Sequence, residues 1–159
     1  VPRHLTLPPP SADTPSIDAL REALGQLTPD AEPQWGSLDA PCMLRHCSRF
    51  MELYLGAMNV GLALRLIGRW LGPPFLRRFI VRPLGETPRN MRTMQPLRLS
   101  EGETLDFAEE RRLFLEGLAG VESLNGIVHH RLYGSMRAED AQALVRHHTA
   151  HHFYQFGLL

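Results

Sequence analysis

The sequence predicts an all-α protein folded as a four-helix bundle. Apolar residues recur at helical spacing in four separate segments, capping or breaking residues bound those segments, and no convincing strand interrupts them. The 159 residues suit one core. The expected layout is an extended arm over residues 1–15 and a single domain over residues 16–159.

The arm contains five prolines and no periodic pattern. A first helix is predicted from Ser16 to Leu27, where Ile17, Leu20, Leu24 and Leu27 share a face and Pro29 and Pro33 stop the run. A second begins at Asp39, a good N-cap with Pro41 tolerated in the first turn. It carries Met43, Cys47, Phe50 and Tyr54 on one face, has His46 at the edge of that stripe, and runs past Gly56 toward Trp70. Gly72-Pro73-Pro74 then breaks the pattern, and 75–102 reads as a long crossover connection. The third helix starts at Asp106, with Glu109 completing a capping-box-like pair and Gly120 and Gly126 beyond its end. The fourth spans Arg137 to Phe156 and stops at Gly157.

Composition excludes several classes of function. Lys+Arg and Asp+Glu each number 17, so no basic excess recruits nucleic acid. Every one of those basic residues is arginine, which a coding bias explains more simply than a functional surface. Arg65, Arg69, Arg77, Arg78 and Arg82 lie among apolar residues from Leu62 to Arg82, a composition that can rest on anionic lipid. An amphipathic helix and loop packed on the bundle is the simpler reading, and no membrane partner is expected. The arginines and Glu52 interrupt the longest apolar run, Met51 to Leu71, so it is not a span. The N-terminus has no apolar signal core. Cys42 and Cys47 diverge by about 140° on a helix, too far for an easy disulfide. A cytoplasmic protein is the expectation.

Histidine carries the chemistry. Six of the eight lie in the last 31 residues, and two i,i+4 pairs occur, His147/His151 and His148/His152. Stepping about 100° per residue from Ala141, Leu144 and Val145 puts His148, His152 and Gln155 on the inward face, His151 on its border and His147 toward solvent. Two imidazoles one turn apart chelate one ion, as in metalloprotease helices, but no Glu adjoins the first His, so that activity is excluded. His46, the only histidine in the first three helices, supplies the third ligand. Three neutral imidazoles leave coordination positions open, the catalytic pattern rather than the closed structural one. His4, His129 and His147 read as solvated or hydrogen-bonded residues. Arg45 and Arg49 flank His46 and can receive an anionic substrate, although a solvated helix face accounts for them better.

Leu144-Val-Arg-His-His148-Thr-Ala-His-His152-Phe-Tyr-Gln155-Phe-Gly157 resembles the closing motif of the DinB-like (YfiT-like) metalloenzyme superfamily. It is closest to a branch whose members end in His-x-x-His-His-x-x-Gln-Phe-Gly. The stretch from Gln34-Trp35-Gly36 to Met43-Leu44-Arg45-His46 resembles the entry to that family's second helix, and His130-Arg-Leu-Tyr133-Gly134-Ser-Met136 resembles its turn before the last helix. Order and spacing match from about Ser16 to Gly157. Arg131 replaces the turn proline, Cys42 replaces a Gln, and Arg137 stands where a capping Thr or Ser is usual, with Ser135 as a substitute.

The resemblance implies an up-down-down-up bundle with its long crossover between the second and third helices, and the ligand set His46, His148 and His152. Imidazole suits nickel, zinc or iron. Relatives in that superfamily include thiol-dependent transferases and isomerases and are commonly homodimers, so the resemblance implies a low-molecular-weight thiol, a small-molecule substrate and a homodimer; an open metal site also allows a hydrolase. Gln155, His151 and His130 are the candidates for supporting the ligands or lining the pocket; a turn-stabilising hydrogen bond explains His130 equally well. A non-catalytic metal- or small-ligand-binding bundle is the alternative function.

Overall fold

The computed structural model describes residues 4–94, 97–99 and 103–159. The described chain is mostly helical: α1 (Ile17–Leu24), α2 (Ala40–Leu55), α3 (Leu62–Ile80), a 3-10 turn (Leu84–Glu86), α4 (Phe107–Glu122) and α5 (Ala138–Gln155), with a hairpin of β1 (Ile127–His130) and β2 (Gly134–Arg137) before α5. The all-helical expectation is corrected by that hairpin. Its strands pair antiparallel, Ile127 with Arg137 and His130 with Gly134. Four residues are too few to display a period of two in sequence. The hairpin exists because Val128, His130 and Met136 pack inward.

Local chemistry sets the helix ends. The Ser16 hydroxyl accepts the Ala19 N–H at 3.1 Å and opens α1. That helix stops at Leu24, short of the predicted Leu27, as Gln26 and Leu27 turn back onto the carbonyls of Ala23 and Leu24. Asp39 caps α2 through the Cys42 N–H at 2.8 Å. Gly56, at φ 76°, ends α2 well before Trp70. Asp106 caps α4 through the Glu109 N–H at 2.8 Å, but the Glu109 carboxylate pairs with Arg112 instead of closing a capping box. Gly120 lies inside α4, not beyond it; a Cβ there would come 3.1 Å from Leu55 Cδ1, so the glycine lets α2 and α4 approach. Arg137 precedes α5 without a side-chain cap and pairs with Asp140, and Ser135 contacts His129 rather than the helix. After α5, Gly157 adopts φ 69° and the Leu158 N–H returns to the Phe153 carbonyl at 3.0 Å.

Helix α2 packs on α4, and α5 contacts α1, α2 and α4. Met43, Leu44, Met51, Phe114, Leu118, Leu144 and Phe153 fill the space between them, each fully buried. Arg45 on α2 reaches Glu110 on α4 with a paired contact of 2.7 and 2.6 Å; Glu110 is 1% exposed.

Helix α3 takes up the stretch to Trp70 that was expected to continue the second helix, runs through Gly72-Pro73-Pro74, and extends into the first residues of the predicted crossover. The prolines free the carbonyls of Arg69 and Trp70, both exposed residues whose carbonyls water can satisfy. Gly68 and Gly72 let α3 sit against the hairpin turn: a Cβ at either would fall 2.5 Å from Leu132 Cγ or 2.3 Å from Tyr133 Cδ1. The C-terminal end of α3 joins the core through Leu76, Phe79 and Ile80, but its N-terminal half does not pack as an ordinary amphipathic helix. Leu62, Leu66 and Trp70 project outward, Trp70 at 81% exposure. The described part of the arm is extended and pinned at both ends, with the Leu5 N–H on the Ser135 carbonyl at 2.9 Å and the Ser11 N–H on the Ile80 carbonyl at 2.8 Å. No helix among the described residues is long and apolar enough to cross a membrane.

Candidate metal centre

Two helices bring three imidazoles together. His46 lies in the second turn of α2, held there by the Asp39 cap and the buried neighbours Met43 and Cys47. His148 and His152 lie one turn apart on α5. One ring nitrogen from each stands within 4.8 Å of the others. His46 Nε2 and His148 Nε2 are 3.2 Å apart.

The hydrogen bonds around the cluster orient the rings. His152 Nδ1 lies 2.9 Å from Gln155 Oε1, and the Gln155 amide donates to the Trp35 carbonyl at 2.6 Å. The amide can only donate to a carbonyl, so its oxygen faces the imidazole and His152 must carry its proton on Nδ1. His46 Nδ1 faces the Leu97 carbonyl at 3.4 Å and can likewise only donate to it. Both rings therefore keep their Nε2 lone pairs, and His46 directs its own toward His148. The His148 ring stacks on Phe50, centroids 3.8 Å apart and planes 11° from parallel, and its Nδ1 is buried without a partner.

Burial pushes the pKa of all three below the ordinary imidazole range. For His148 and His152 the drop is large, deepened by the neighbouring imidazoles. For His46 the Leu97 carbonyl opposes burial and Arg49 reinforces it. The cluster is therefore neutral at pH 7, the form that binds metal.

These residues fit a divalent ion. Nitrogens bound tetrahedrally at about 2.0–2.1 Å stand about 3.3 Å apart, close to the His46–His148 separation of 3.2 Å. Without a cation, His148 can donate an Nε2 proton to His46, but its buried Nδ1 then stays unsatisfied, a costly arrangement. Among the described residues no fourth His, Cys, Asp or Glu joins the group. The cluster opens onto a cavity of about 930 Å³ between α2, α5 and α3.

The other predicted residues divide. Gln155 bonds a ligand and lines the cavity, and His151 lines it too, with its ring 5.2 Å from that of His152. Burial lowers the His151 pKa to about 4. His130 is seated in the hairpin turn, where its Nδ1 accepts the N–H groups of Leu132 and Tyr133, each at 3.0 Å. His147 does not face solvent: it is fully buried, 2.8 Å from the Thr14 hydroxyl and edge-on to Phe79. The arm and the end of α3 cover that side of α5, which the periodicity of α5 alone cannot reveal. His4 and His129 are exposed. Arg45 is engaged by Glu110 and Arg49 by the Arg98 carbonyl, so neither is a free anion receiver.

Sequence reasoning missed Phe50, although it lies one turn from His46 on the same helix. It also missed the Trp35 carbonyl, for which Gly36 is the visible sign. Gly36 has φ 84°, and a Cβ there would stand 2.7 Å from Gln155 Nε2.

No protein-family model, no curated protein and no solved structure matches the chain.

Proposed function

We propose that the chain is a DinB-like protein holding one divalent metal ion on His46, His148 and His152, and that it is a metal-dependent enzyme acting on a small molecule. In this reading α1, α2, α4 and α5 form the up-down-down-up bundle, and α3 belongs to the crossover. The observation that carries the proposal is the convergence of three neutral imidazoles at the wall of a large cavity, with the His152 tautomer set by Gln155. Such support through a ligand's second nitrogen is a general feature of histidine metal sites.

When bound, the ion supplies Lewis-acid polarisation and lowers the pKa of a group placed at its open position. The chain's own residues hold and orient. Gln155 fixes the His152 ring, Phe50 fixes the His148 ring, and His151 presents a neutral imidazole to the same cavity. Cys42 also lines the cavity, but burial, assisted by Asp39, pushes its thiol up to about 11. It is a poor nucleophile at neutral pH. A thiol-dependent transfer would therefore use a low-molecular-weight thiol from outside the chain; hydrolysis would need none. Nickel, zinc and iron all suit the donor set. Both described cysteines are free, which fits a reducing, cytoplasmic setting.

The test is elemental analysis of protein purified without added metal, with anomalous scattering to locate the ion. One equivalent, lost in His148→Ala together with any turnover found in a substrate screen, is the expected result. Metal content and activity that both survive His148→Ala overturn the proposal. Stoichiometric metal with a large fall in melting temperature on chelation, and no turnover, supports the non-catalytic binding protein instead.

A further inference from the structure

The cavity beside the three histidines has two chemically different parts. One holds the imidazole nitrogens, the Gln155 amide and His151. Helix α3 forms another part of the lining, turning Leu64, Ile67, Leu71 and Phe75 toward the cavity at spacings of three, four and four residues. Among the described residues most of this stripe is left open: Ile67 is 54% exposed, Leu71 66% and Phe75 48%. Leu76 and Phe79 continue the apolar lining deeper in. Among the described residues the one carboxylate on the lining is Asp39, already engaged in capping α2.

A row of large apolar side chains held open beside a polar cluster is costly in water unless something occupies it. Helix α3 is also firmly placed, since Gly68 and Gly72 bring it against Leu132 and Tyr133 with no room for a Cβ. Its inner stripe is thus presented as a preformed wall, and the volume of about 930 Å³ is at the upper end of small-molecule sites, about 300–1,000 Å³.

We infer that the substrate class is amphiphilic: a molecule with an oxygen- or sulfur-bearing polar head at the histidine cluster and an aliphatic or aromatic tail along Leu64, Ile67, Leu71 and Phe75. This inference rests on the metal reading above, because the ion anchors the head. The tail selects by area, each buried methylene strengthening binding about three- to fourfold. A small polar metabolite would leave the stripe wet and bind no better than its head alone.

The experiment uses the full chain loaded with zinc and titrates it calorimetrically with acetohydroxamate, hexanohydroxamate, octanohydroxamate and decanohydroxamate, which share one chelating head. Affinity is expected to climb about three- to fourfold per methylene until the cavity is filled. Leu71→Asp, at an exposed position that leaves the fold and zinc stoichiometry unchanged, is expected to flatten the series toward the acetohydroxamate value. Zinc bound at one equivalent with affinity independent of tail length overturns this inference and leaves the metal reading standing. A steep series that Leu71→Asp does not change also overturns it, because the tail then lies elsewhere. Failure of the wild-type chain to take zinc overturns both.

Discussion

Gln155 ties His152 to the loop that precedes α2: its Oε1 lies 2.9 Å from His152 Nδ1 and its Nε2 donates to the Trp35 carbonyl at 2.6 Å. A residue of α5 thus transmits the position of the Trp35–Gly36 loop to the three-histidine cluster. Gln155→Leu keeps the volume but removes the acceptor, freeing the His152 tautomer. Zinc affinity measured by competition with a chromophoric chelator is expected to fall 10- to 100-fold, with the far-ultraviolet circular dichroism unchanged. An unchanged dissociation constant would show that Gln155 does not support the ligand.

Gly36 is the matching test from the loop side. Its φ of 84° and the 2.7 Å separation between a built Cβ and Gln155 Nε2 leave no room for alanine. Gly36→Ala is expected to cost about 1–3 kcal/mol in urea unfolding and to weaken zinc binding, because the added methyl displaces the Gln155 amide. A variant as stable as the parent, with the same zinc affinity, contradicts this coupling.

Glu110 addresses the body of the fold rather than the site. Its carboxylate is 1% exposed and bound by Arg45 through two contacts. Glu110→Ala leaves the Arg45 guanidinium, still partly solvated at 27% side-chain exposure, without its partner. The expected loss is about 2–4 kcal/mol, at or below the range for breaking a buried pair. One equivalent of zinc is still bound. Loss of stability below 0.5 kcal/mol would mean that the pair contributes little to holding α2 on α4.

Stability should decline in acid, and His130 shows the sign. Burial lowers its pKa from the ordinary 6.5 to about 3, with a small further push from His129. Between those values the unfolded chain binds the proton and the folded chain does not, so stability rises with pH. Its contribution is complete above about pH 6.5 and falls by up to about 1.4 kcal/mol per pH unit below it. Urea midpoints from pH 7.5 to pH 4.5 are expected to decrease, and less steeply in His130→Asn. A midpoint independent of pH across that interval, or identical slopes in parent and variant, contradicts the assignment.

Much of the site could be read from residue order. The i,i+4 pair His148/His152 lies on the same face as Leu144, and one imidazole on another helix, His46, completes a trio whose ring nitrogens lie within 4.8 Å of one another; helix geometry picks these out from eight histidines. The helix starts at Ser16, Asp39 and Asp106 were equally legible, because a capping side chain acts within three residues of itself. The β-hairpin was not, since its strands are four residues each and owe their existence to burial of Val128 and Met136. The separate identity of α3 and its passage through Gly72-Pro73-Pro74 were not legible either, since the local preference of that triplet is overridden at a solvent-facing position and by close packing on Tyr133.

Periodicity and short-range hydrogen bonding thus located, from sequence alone, the helices that begin at Ser16, Asp39 and Asp106, the last helix, and the face of α5 that carries His148 and His152. Only the tertiary structure decided that His147 is buried beneath Thr14 and Phe79, that His130 belongs to a turn, and that α3 lends an apolar stripe to the same cavity as the cluster. The division has a physical cause. A cap or an apolar stripe is set by residues within one or two helical turns, whereas the burial of a side chain depends on segments more than sixty residues away that share no pattern with it.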